Sequence, residues 1–251
     1  MVVEPMPLTD AQVAQFRADG YLVVEDVVPL EHVEAMRRRI DAVTSPAGSA
    51  DADRMGVQLE PDAPADGALP RKLNELAPHD VVFERHAESP ELLEMVGQLI
   101  GEPLRLYSDQ AFLKPPRQGS AKPPHQDNAH FGIDPADWGV TVWCALDDAT
   151  EANGCMQYFA GSHLEGAVPH VWEGGTTHLI PERLELPAPV HAPVRAGGVI
   201  FHHLLTFHMS APNTSDAWRR AYACHYIRTD ASHMDEEPIQ AMLGEDHPLK
   251  R

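Results

Sequence analysis

A histidine and an aspartate stand two positions apart in the segment Pro123-Pro124-His125-Gln126-Asp127. On an extended strand, residues i and i+2 project from the same face, so the His125 imidazole and the Asp127 carboxylate could reach one metal ion. Two imidazole nitrogens and one carboxylate on one side of an ion form the facial triad of non-haem Fe(II) sites, which leaves the remaining positions open. This chemistry requires a second histidine and a co-substrate site elsewhere in the chain.

The His-x-Asp pattern is weak by itself, because the chain contains 15 histidines and repeats the pattern at His233-Met234-Asp235. The second copy lies in a polar C-terminal segment, so we interpret it as a chance occurrence. His208 is the best candidate for the third ligand, because it follows the apolar run 198–205 and precedes a polar turn. A purely structural role remains the alternative for each of the other candidates, which are His163, His170, His178, His191, His202, His203 and His225.

Arg219 follows His208 by eleven positions. A turn through residues 212–216 would return the chain antiparallel and place Arg219 deep on the next strand, with Arg220 on the other face. A guanidinium buried beside a metal ion needs an anion, and its planar fork suits a carboxylate. A dicarboxylate that chelates the metal at one end and meets Arg219 at the other fits this arrangement, and 2-oxoglutarate is such a molecule.

The elements that must position these residues begin with helices. Residues 9–12 form a capping box, and Gly20 ends the helix that follows. Pro29 begins a second helix, and Ser89-Pro90 begins a third. Residues 45–69 are rich in Ser, Ala, Gly, Asp and Pro without periodicity, which predicts a long surface loop that could serve as a lid.

Short apolar runs alternate with turn residues in the following part of the chain, at residues 104–113, 139–146, 155–159, 190–194, 198–205 and 220–227. Such short strands with irregular loops predict an all-β sandwich or barrel. We therefore expect one domain, with a mostly helical layer at residues 1–101, a β core at 102–230 and a C-terminal tail at 231–251.

Composition excludes several classes of function. A net charge of −19 argues against nucleic acid and anionic membrane surfaces as partners. Three cysteines without a Cys-x-x-Cys pattern suggest reduced thiols and a cytoplasmic location. The sequence predicts neither a signal peptide nor a transmembrane helix.

Further blocks frame the candidate ligands, namely Asp19-Gly20-Tyr21-Leu22-Val23-Val24, Lys114-Pro115-Pro116, Trp143-Cys144-Ala145-Leu146-Asp147-Asp148, Asn153-Gly154-Cys155-Met156, Gly161-Ser162-His163 and His208-Met209-Ser210-Ala211-Pro212-Asn213. Together with His125-Gln126-Asp127 and Arg219, they resemble the phytanoyl-CoA dioxygenase family of Fe(II)/2-oxoglutarate-dependent oxygenases. The resemblance runs over most of the chain. It implies a mainly β fold with flanking helices and a double-stranded β-helix core (jelly-roll, cupin-like).

The resemblance also implies site residues and cofactors. The cofactors would be Fe(II), 2-oxoglutarate and O2, with 2-oxoglutarate converted to succinate and CO2. The matching positions are the iron ligands His125, Asp127 and His208, the 2-oxoglutarate clamp Arg219, and the further co-substrate contacts Lys72, Gln110 and Trp143. A carboxylate at position 127 favours hydroxylation, or another oxidation such as desaturation or ring formation, over halogenation.

The sequence contains little information about the substrate, and we expect a small metabolite or natural product. Candidate pocket walls are Phe131, Trp138, Met156, Trp172 and the loops 45–69 and 164–187. The basic residues Lys114, Arg117 and Lys122 could meet a CoA phosphate, although a solvated loop is the simpler interpretation. Two other functions stay open: a metal-dependent isomerase or hydrolase of the same architecture without 2-oxoglutarate, and a catalytically silent binding protein.

Overall fold

The computed structural model describes residues 7–45, 49–61, 69–173, 176–179, 186 and 188–234. Its helices are α1 (Asp10–Asp19), α2 (Leu30–Val43), α3 (Ser49–Arg54), α4 (Val81–Ala87), α5 (Pro90–Ile100) and α6 (Asn128–Phe131). Its strands are β1 (Tyr21–Val24), β2 (Gln58–Leu59), β3 (Pro70–Asn74), β4 (Leu104–Lys114), β5 (Lys122–His125), β6 (Ile133–Asp134), β7 (Gly139–Ala145), β8 (Met156–Tyr158), β9 (His170–Glu173), β10 (Thr176–Leu179), β11 (Val190–Ala192), β12 (Val199–His203), β13 (His208–Ser210), β14 (Arg219–Arg228) and β15 (Ser232–His233).

Two antiparallel sheets form the core. The main sheet has the strand order β1-β12-β7-β14-β4-β3-β2, and the smaller sheet has the order β11-β8-β13-β5. Their inner faces pack together, because Trp143 and Ile200 of the main sheet share one apolar cluster with Tyr158 and Ala192 of the smaller sheet. This sandwich agrees with the expected jelly-roll core.

Strand β7 illustrates why the central strands lack polar alternation. It is buried along its whole length, because both of its faces are covered. Val142 and Cys144 join the apolar cluster that contains the helix residues, whereas Trp143 packs between the two sheets. A strand that is buried on both faces appears in the sequence as a continuous apolar run. Residues 139–146 have that character.

The helices cover the outer face of the main sheet. The capping box at Thr9 and Gln12 forms as predicted, and Ser89 caps α5, which has Pro90 in its first turn. The buried side of α2 consists of Val33, Met36, Ile40 and Val43, at the spacing of one helical face. None of the helices in the described part of the chain is long and apolar enough to cross a membrane.

The turn between α1 and β1 requires glycine at position 20, because of its backbone conformation and the lack of space for a side chain. Its φ of 76° lies in the left-handed region, and a Cβ there would lie 2.4 Å from Thr206 Oγ1. The Gly20 carbonyl accepts hydrogen bonds from the His203 amide and the Thr206 hydroxyl. The N-terminal corner is thereby tied to the segment that leads into His208.

The prediction of one long loop at residues 45–69 is wrong for its described part. This part contains α3 and β2, and it buries Met55, which is 1% exposed. The Met55 carbonyl accepts from the Asn74 amide, and β2 pairs with β3. Tertiary pairing therefore orders a segment that has no periodicity of its own, and residues 62–68 lie outside the described part.

The expected hairpin between the strands of His208 and Arg219 is also wrong. Strand β13 pairs with β5 and β8 in the smaller sheet, whereas β14 pairs with β4 and β7 in the main sheet. The connection crosses from one sheet to the other. Arg219 is nevertheless buried at the start of β14, as predicted, because the inner faces of both sheets border the same interior.

Candidate metal centre and co-substrate pocket

Pairing of β5 with β13 places His125 directly opposite His208. Asp127 Oδ1 lies 3.6 Å from His125 Nε2 and 3.5 Å from His208 Nε2. All three residues are buried, and one donor atom from each lies within 4.8 Å of the others. Donor atoms this close can share one ion with bonds of about 2 Å. The three predicted side chains thus come together as a possible metal site. The expectation that His125 and Asp127 share one extended strand is wrong, because β5 ends at His125 and Asp127 has a helical conformation at the start of α6.

The hydrogen bonds of the two imidazoles determine which nitrogen is available. His125 Nδ1 lies 2.9 Å from the Pro123 carbonyl, and His208 Nδ1 lies 3.0 Å from the Thr206 carbonyl. Because a carbonyl can only accept, both Nδ1 atoms carry the proton and both Nε2 atoms present a lone pair. This outer hydrogen bond is the usual device that orients a metal-binding histidine.

Burial keeps these imidazoles neutral. Desolvation, followed by the charge of Lys122, holds the pKa of His125 well below its ordinary value. Burial likewise lowers the pKa of His208 to about 4. Burial alone would raise the pKa of Asp127, but His208 and the hydrogen bond from His202 outweigh it, so this pKa lies well below its usual range. Two neutral imidazoles and one carboxylate are the protonation states that a divalent metal ion needs.

Asp127 is oriented through its other oxygen. His202 Nε2 donates to Asp127 Oδ2 at 3.0 Å, and the Thr141 hydroxyl donates to the same atom at 2.7 Å. The Tyr158 hydroxyl in turn lies 2.9 Å from His202 Nδ1, which it satisfies as the donor. Oδ1 therefore remains the oxygen that faces His125. His202 thus holds the Asp127 carboxylate by the oxygen that does not face His125.

The same network leaves one unused acceptor. The Thr141 hydroxyl gives its single proton to Asp127, so it must accept from His225 Nδ1, at 2.8 Å. His225 Nε2 is then unprotonated, and it has no hydrogen-bond partner among the described residues. The His225 side chain is 3% exposed and lines the cavity described below. It presents a hydrogen-bond acceptor to whatever occupies that cavity.

Arg219 is a buried cation that lacks an anion. It is 2% exposed, and its Nε and Nη1 atoms have no hydrogen-bond partner in the described part of the protein. Its guanidinium lies 5.4 Å from the centre of the Trp143 ring. Burial lowers its pKa to about 10, so it stays charged at neutral pH. A buried guanidinium with unpaired donors fits an anion, such as the distal carboxylate that 2-oxoglutarate would supply.

A cavity of about 440 Å³ between the sheets joins these features. This volume lies within the range of small-molecule sites. The predicted site residues that line it are His125, Asp127, His208, Arg219, Gln110, Trp143, Lys72, Phe131 and Met156.

Trp138 is not among the described residues that line the cavity, although it was predicted as a wall. Its ring instead lies 4.3 Å from the Arg228 guanidinium, at the end of a 3-10 turn. Trp172 belongs to β9, but its side chain lies outside the described part of the structure. His163 Nε2 contacts the Arg17 carbonyl within another 3-10 turn.

Sequence reasoning did not assign functional roles to Thr141, His202 and His225. A usable signal existed, because residues an even number of positions apart on one strand share a face. Thr141 stands two positions before Trp143, and His225 stands six positions after Arg219. His202 has no such neighbour, so its contact with Asp127 required the tertiary structure.

Comparison with known proteins supports the same assignment of the chain. The sequence model of the phytanoyl-CoA dioxygenase family matches residues 16–221 of this chain. A probable phytanoyl-CoA dioxygenase of Caenorhabditis elegans is 28% identical over 232 residues, which cover 86% of this chain and 74% of the relative. The peroxisomal phytanoyl-CoA dioxygenase of Homo sapiens is 27% identical over 241 residues, which cover 91% of this chain and 71% of the relative.

Among solved structures, the non-haem α-ketoglutarate-dependent carbocyclase SnoK from nogalamycin biosynthesis matches with a TM-score of 0.73 and 26% identity. The match covers 92% of this chain and 89% of that protein. The bare Nε2 atoms of His125 and His208 and the orphaned donors of Arg219 fit iron and 2-oxoglutarate. The chain therefore belongs to the phytanoyl-CoA dioxygenase family, and it is a non-haem oxygenase that depends on Fe(II), 2-oxoglutarate and O2.

Proposed function

We propose that this enzyme hydroxylates a small-molecule metabolite or natural-product intermediate, with His125, Asp127 and His208 as the iron ligands. When bound, iron, 2-oxoglutarate and O2 would supply the oxidant that removes a substrate hydrogen, with one oxygen atom going to the substrate and the other to the succinate that forms with CO2. The observation that carries the proposal is the Asp127 carboxylate, whose Oδ1 faces two unprotonated imidazole nitrogens. Because this ligand position is filled by the protein, hydroxylation is favoured over transfer of a halide.

We assign the co-substrate to the Arg219 end of the cavity. The guanidinium would hold the distal carboxylate, and Trp143 would form the wall beside it, which is supported by their 5.4 Å contact. Gln110 and Lys72 would supply further donors, since both line the same cavity. An isomerase or hydrolase that uses no 2-oxoglutarate would leave the Arg219 donors without an anion, which counts against that alternative.

The substrate would occupy the remaining cavity near the iron. Phe131 and Met156 offer apolar walls, and His225 Nε2 offers an acceptor for a hydroxyl or N–H group of the substrate. These residues would orient the substrate and exclude water, which is the part of the chemistry that belongs to the protein. A free metabolite of modest size suits a cavity of about 440 Å³.

We further propose that residues 1–251 form one catalytic domain. Its support is that β1, β2 and β3 from the N-terminal layer complete the main sheet, which also carries Arg219 on β14. A cytoplasmic location is part of the same proposal. It is supported by three buried cysteines that form no disulfide, although the human relative is named as peroxisomal.

Anaerobic titration tests the cofactor assignment, and a turnover screen tests the reaction. Addition of 2-oxoglutarate to the Fe(II)-loaded protein should produce the metal-to-ligand charge-transfer band of the chelate. Succinate release should then rise above the substrate-free rate with one class of compound in a metabolite panel, and the product should contain one added oxygen atom. Absence of the band would contradict the assigned site, and a product that lost two hydrogens without gaining oxygen would contradict hydroxylation.

A further inference from the structure

The Nε2 atom of His225 is a buried hydrogen-bond acceptor that the metal site and 2-oxoglutarate leave unused. The side chain lines the cavity, and Nε2 has no hydrogen-bond partner among the described residues. The described side chains that could share one metal ion do not include His225. 2-Oxoglutarate offers only acceptors at neutral pH, because both of its carboxyl groups are ionised. Since a buried acceptor without a donor costs free energy, the expected partner of Nε2 is a donor on the substrate.

Ser108 supplies a second unpaired polar group beside His225. The two residues lie directly opposite each other on the paired strands β4 and β14. Directly opposite residues of an antiparallel pair project from the same face, with their Cβ atoms about 4.5–5.5 Å apart. The Ser108 hydroxyl is buried and has no hydrogen-bond partner in the described part of the chain. Because the two groups do not bond to each other, one bound group could contact both.

Strand register places this pair away from the Arg219 end of the cavity. His225 stands six residues after Arg219 on β14, and both side chains line the cavity. At about 3.3 Å per residue, their Cα atoms are about 20 Å apart along the strand. Gln110 and Trp143, which are assigned to 2-oxoglutarate, lie opposite Ala223 in a row between them. The pair therefore borders a part of the cavity that 2-oxoglutarate does not occupy in the proposed function.

His225 is also close to the metal site and to an apolar wall. Its Nδ1 atom lies 4.0 Å from Asp127 Oδ2, and the Thr141 hydroxyl is hydrogen-bonded to both atoms. The Phe131 ring meets the His225 ring edge-on, with 4.6 Å between the ring centres. Tyr107 packs against Phe131 in the same apolar cluster. A substrate bonded to His225 Nε2 would thus lie near the iron, with apolar side chains beside it.

We propose that His225 Nε2 and the Ser108 hydroxyl together recognise a hydroxyl group of the substrate. A hydroxyl can donate to the imidazole and accept from the serine at the same time, whereas an ammonium group can only donate and a carboxylate can only accept. This inference narrows the substrate class to hydroxylated molecules with an apolar part that contacts Phe131. It rests on the proposed function, because it takes 2-oxoglutarate as the occupant of the Arg219 end.

Calorimetry on the full-length protein tests this hydroxyl site with a pair of small probes. The anaerobic protein is saturated with Fe(II) and 2-oxoglutarate. It is then titrated with cyclohexanol or with methoxycyclohexane, an ether whose oxygen has no proton to donate. We expect saturable binding of cyclohexanol, and we expect the ether to bind about fivefold more weakly or worse, because it leaves His225 Nε2 without a donor.

Two variants remove the partners of the hydroxyl one at a time. His225→Phe keeps an aromatic ring against Phe131 but removes the acceptor, so it should weaken cyclohexanol binding about fivefold or more without weakening that of the ether. Ser108→Ala should weaken cyclohexanol binding about threefold or more. The matched control is His86→Phe. His86 is also buried with an unpaired Nε2, but it is not among the described residues that line the cavity, so this variant should bind cyclohexanol as the wild type does.

The chelate band, recorded in the same samples, separates the two levels of inference. If the wild type fails to form the band, the proposed function fails. If the band forms, the hydroxyl site is refuted when cyclohexanol does not bind, when it binds no more tightly than the ether, or when either variant binds it as His86→Phe does. Should His225→Phe lose the band, because Thr141 has then lost its donor, Ser108→Ala decides, and unchanged cyclohexanol binding in that variant refutes the site.

Discussion

Replacement of Arg219 by leucine should remove most of the affinity for 2-oxoglutarate without damaging the fold. The guanidinium is buried, and its Nε and Nη1 atoms have no partner in the described structure. Leucine fills part of the same space beside Trp143 without any charge. The variant should therefore unfold at the same temperature as the wild type or higher when both lack ligands, because it removes a buried charge that has no counter-ion.

The size of the affinity loss follows from the burial of this charge. Burial lowers the pKa of Arg219 from its ordinary value to about 10. At 1.36 kcal/mol per pH unit, this difference corresponds to about 3 kcal/mol of disfavoured charge, which a bound carboxylate would recover. Charge-assisted hydrogen bonds of about 1.5–3 kcal/mol each lead to a similar figure. The dissociation constant of 2-oxoglutarate should thus rise about a hundredfold in Arg219→Leu.

The neighbouring residue offers a matched control. Arg220 projects from the opposite face of β14, where its guanidinium pairs with Asp147 at 2.9 Å and with Asp41 at 2.8 Å. Arg220→Leu should lower the melting temperature and leave 2-oxoglutarate affinity unchanged. The assay is anaerobic titration of the chelate band, with thermal melts of both variants. The reasoning is refuted if Arg219→Leu binds 2-oxoglutarate within about threefold of wild type, or if Arg220→Leu loses as much.

Three further predictions concern the metal site and acid stability. His208→Ala should abolish Fe(II) binding. His202→Ala should weaken it only about 10–100-fold, because His202 does not contact the metal and only donates a hydrogen bond to Asp127. An equal loss in both variants would show that the wrong histidine was assigned as the ligand. Thr141→Val, which keeps the side-chain shape but removes the donor to Asp127, should weaken Fe(II) binding about tenfold in the same titration, and unchanged binding would remove that role. His86 should make the fold acid-sensitive, because burial lowers its pKa from 6.5 to about 3. Because the unfolded chain takes up this proton near pH 6.5 and the folded protein does not, the free energy of unfolding is highest above pH 6.5 and falls as the pH drops toward 3. At pH 4.5 it should be lower by about 2–3 kcal/mol. Between pH 7 and pH 4.5, the free energy of unfolding in urea should fall by about 2–3 kcal/mol less in His86→Phe than in the wild type. An equal fall in both proteins would contradict this role of His86.

Much of the fold was predictable because the relevant signals are local. Capping residues marked α1 and α5, and apolar runs marked β4, β7, β12 and β14 within one or two residues. The strands that were missed are short or lack an apolar run. Strand β5, with the sequence Lys-Pro-Pro-His, carries the proposed metal ligand His125, although its composition is typical of a loop. Its extended form depends on pairing with β13, a segment more than 80 positions away.

The sequence by itself determined the donor types at the metal site and their approximate spacing. His125 and Asp127 form a local pair, and the motifs on either side predicted His208 and Arg219 as its partners. Such information resides in residue type and short-range order, so one chain suffices to show it.

Only the tertiary structure decided how the site is supported and what surrounds it. The donors to Asp127 come from β7 and β12, and the free acceptor of His225 follows from its contact with Thr141. Each of these contacts depends on the register between strands that are far apart in the chain. A shift of one residue in that register would turn every such side chain to the other face of its sheet.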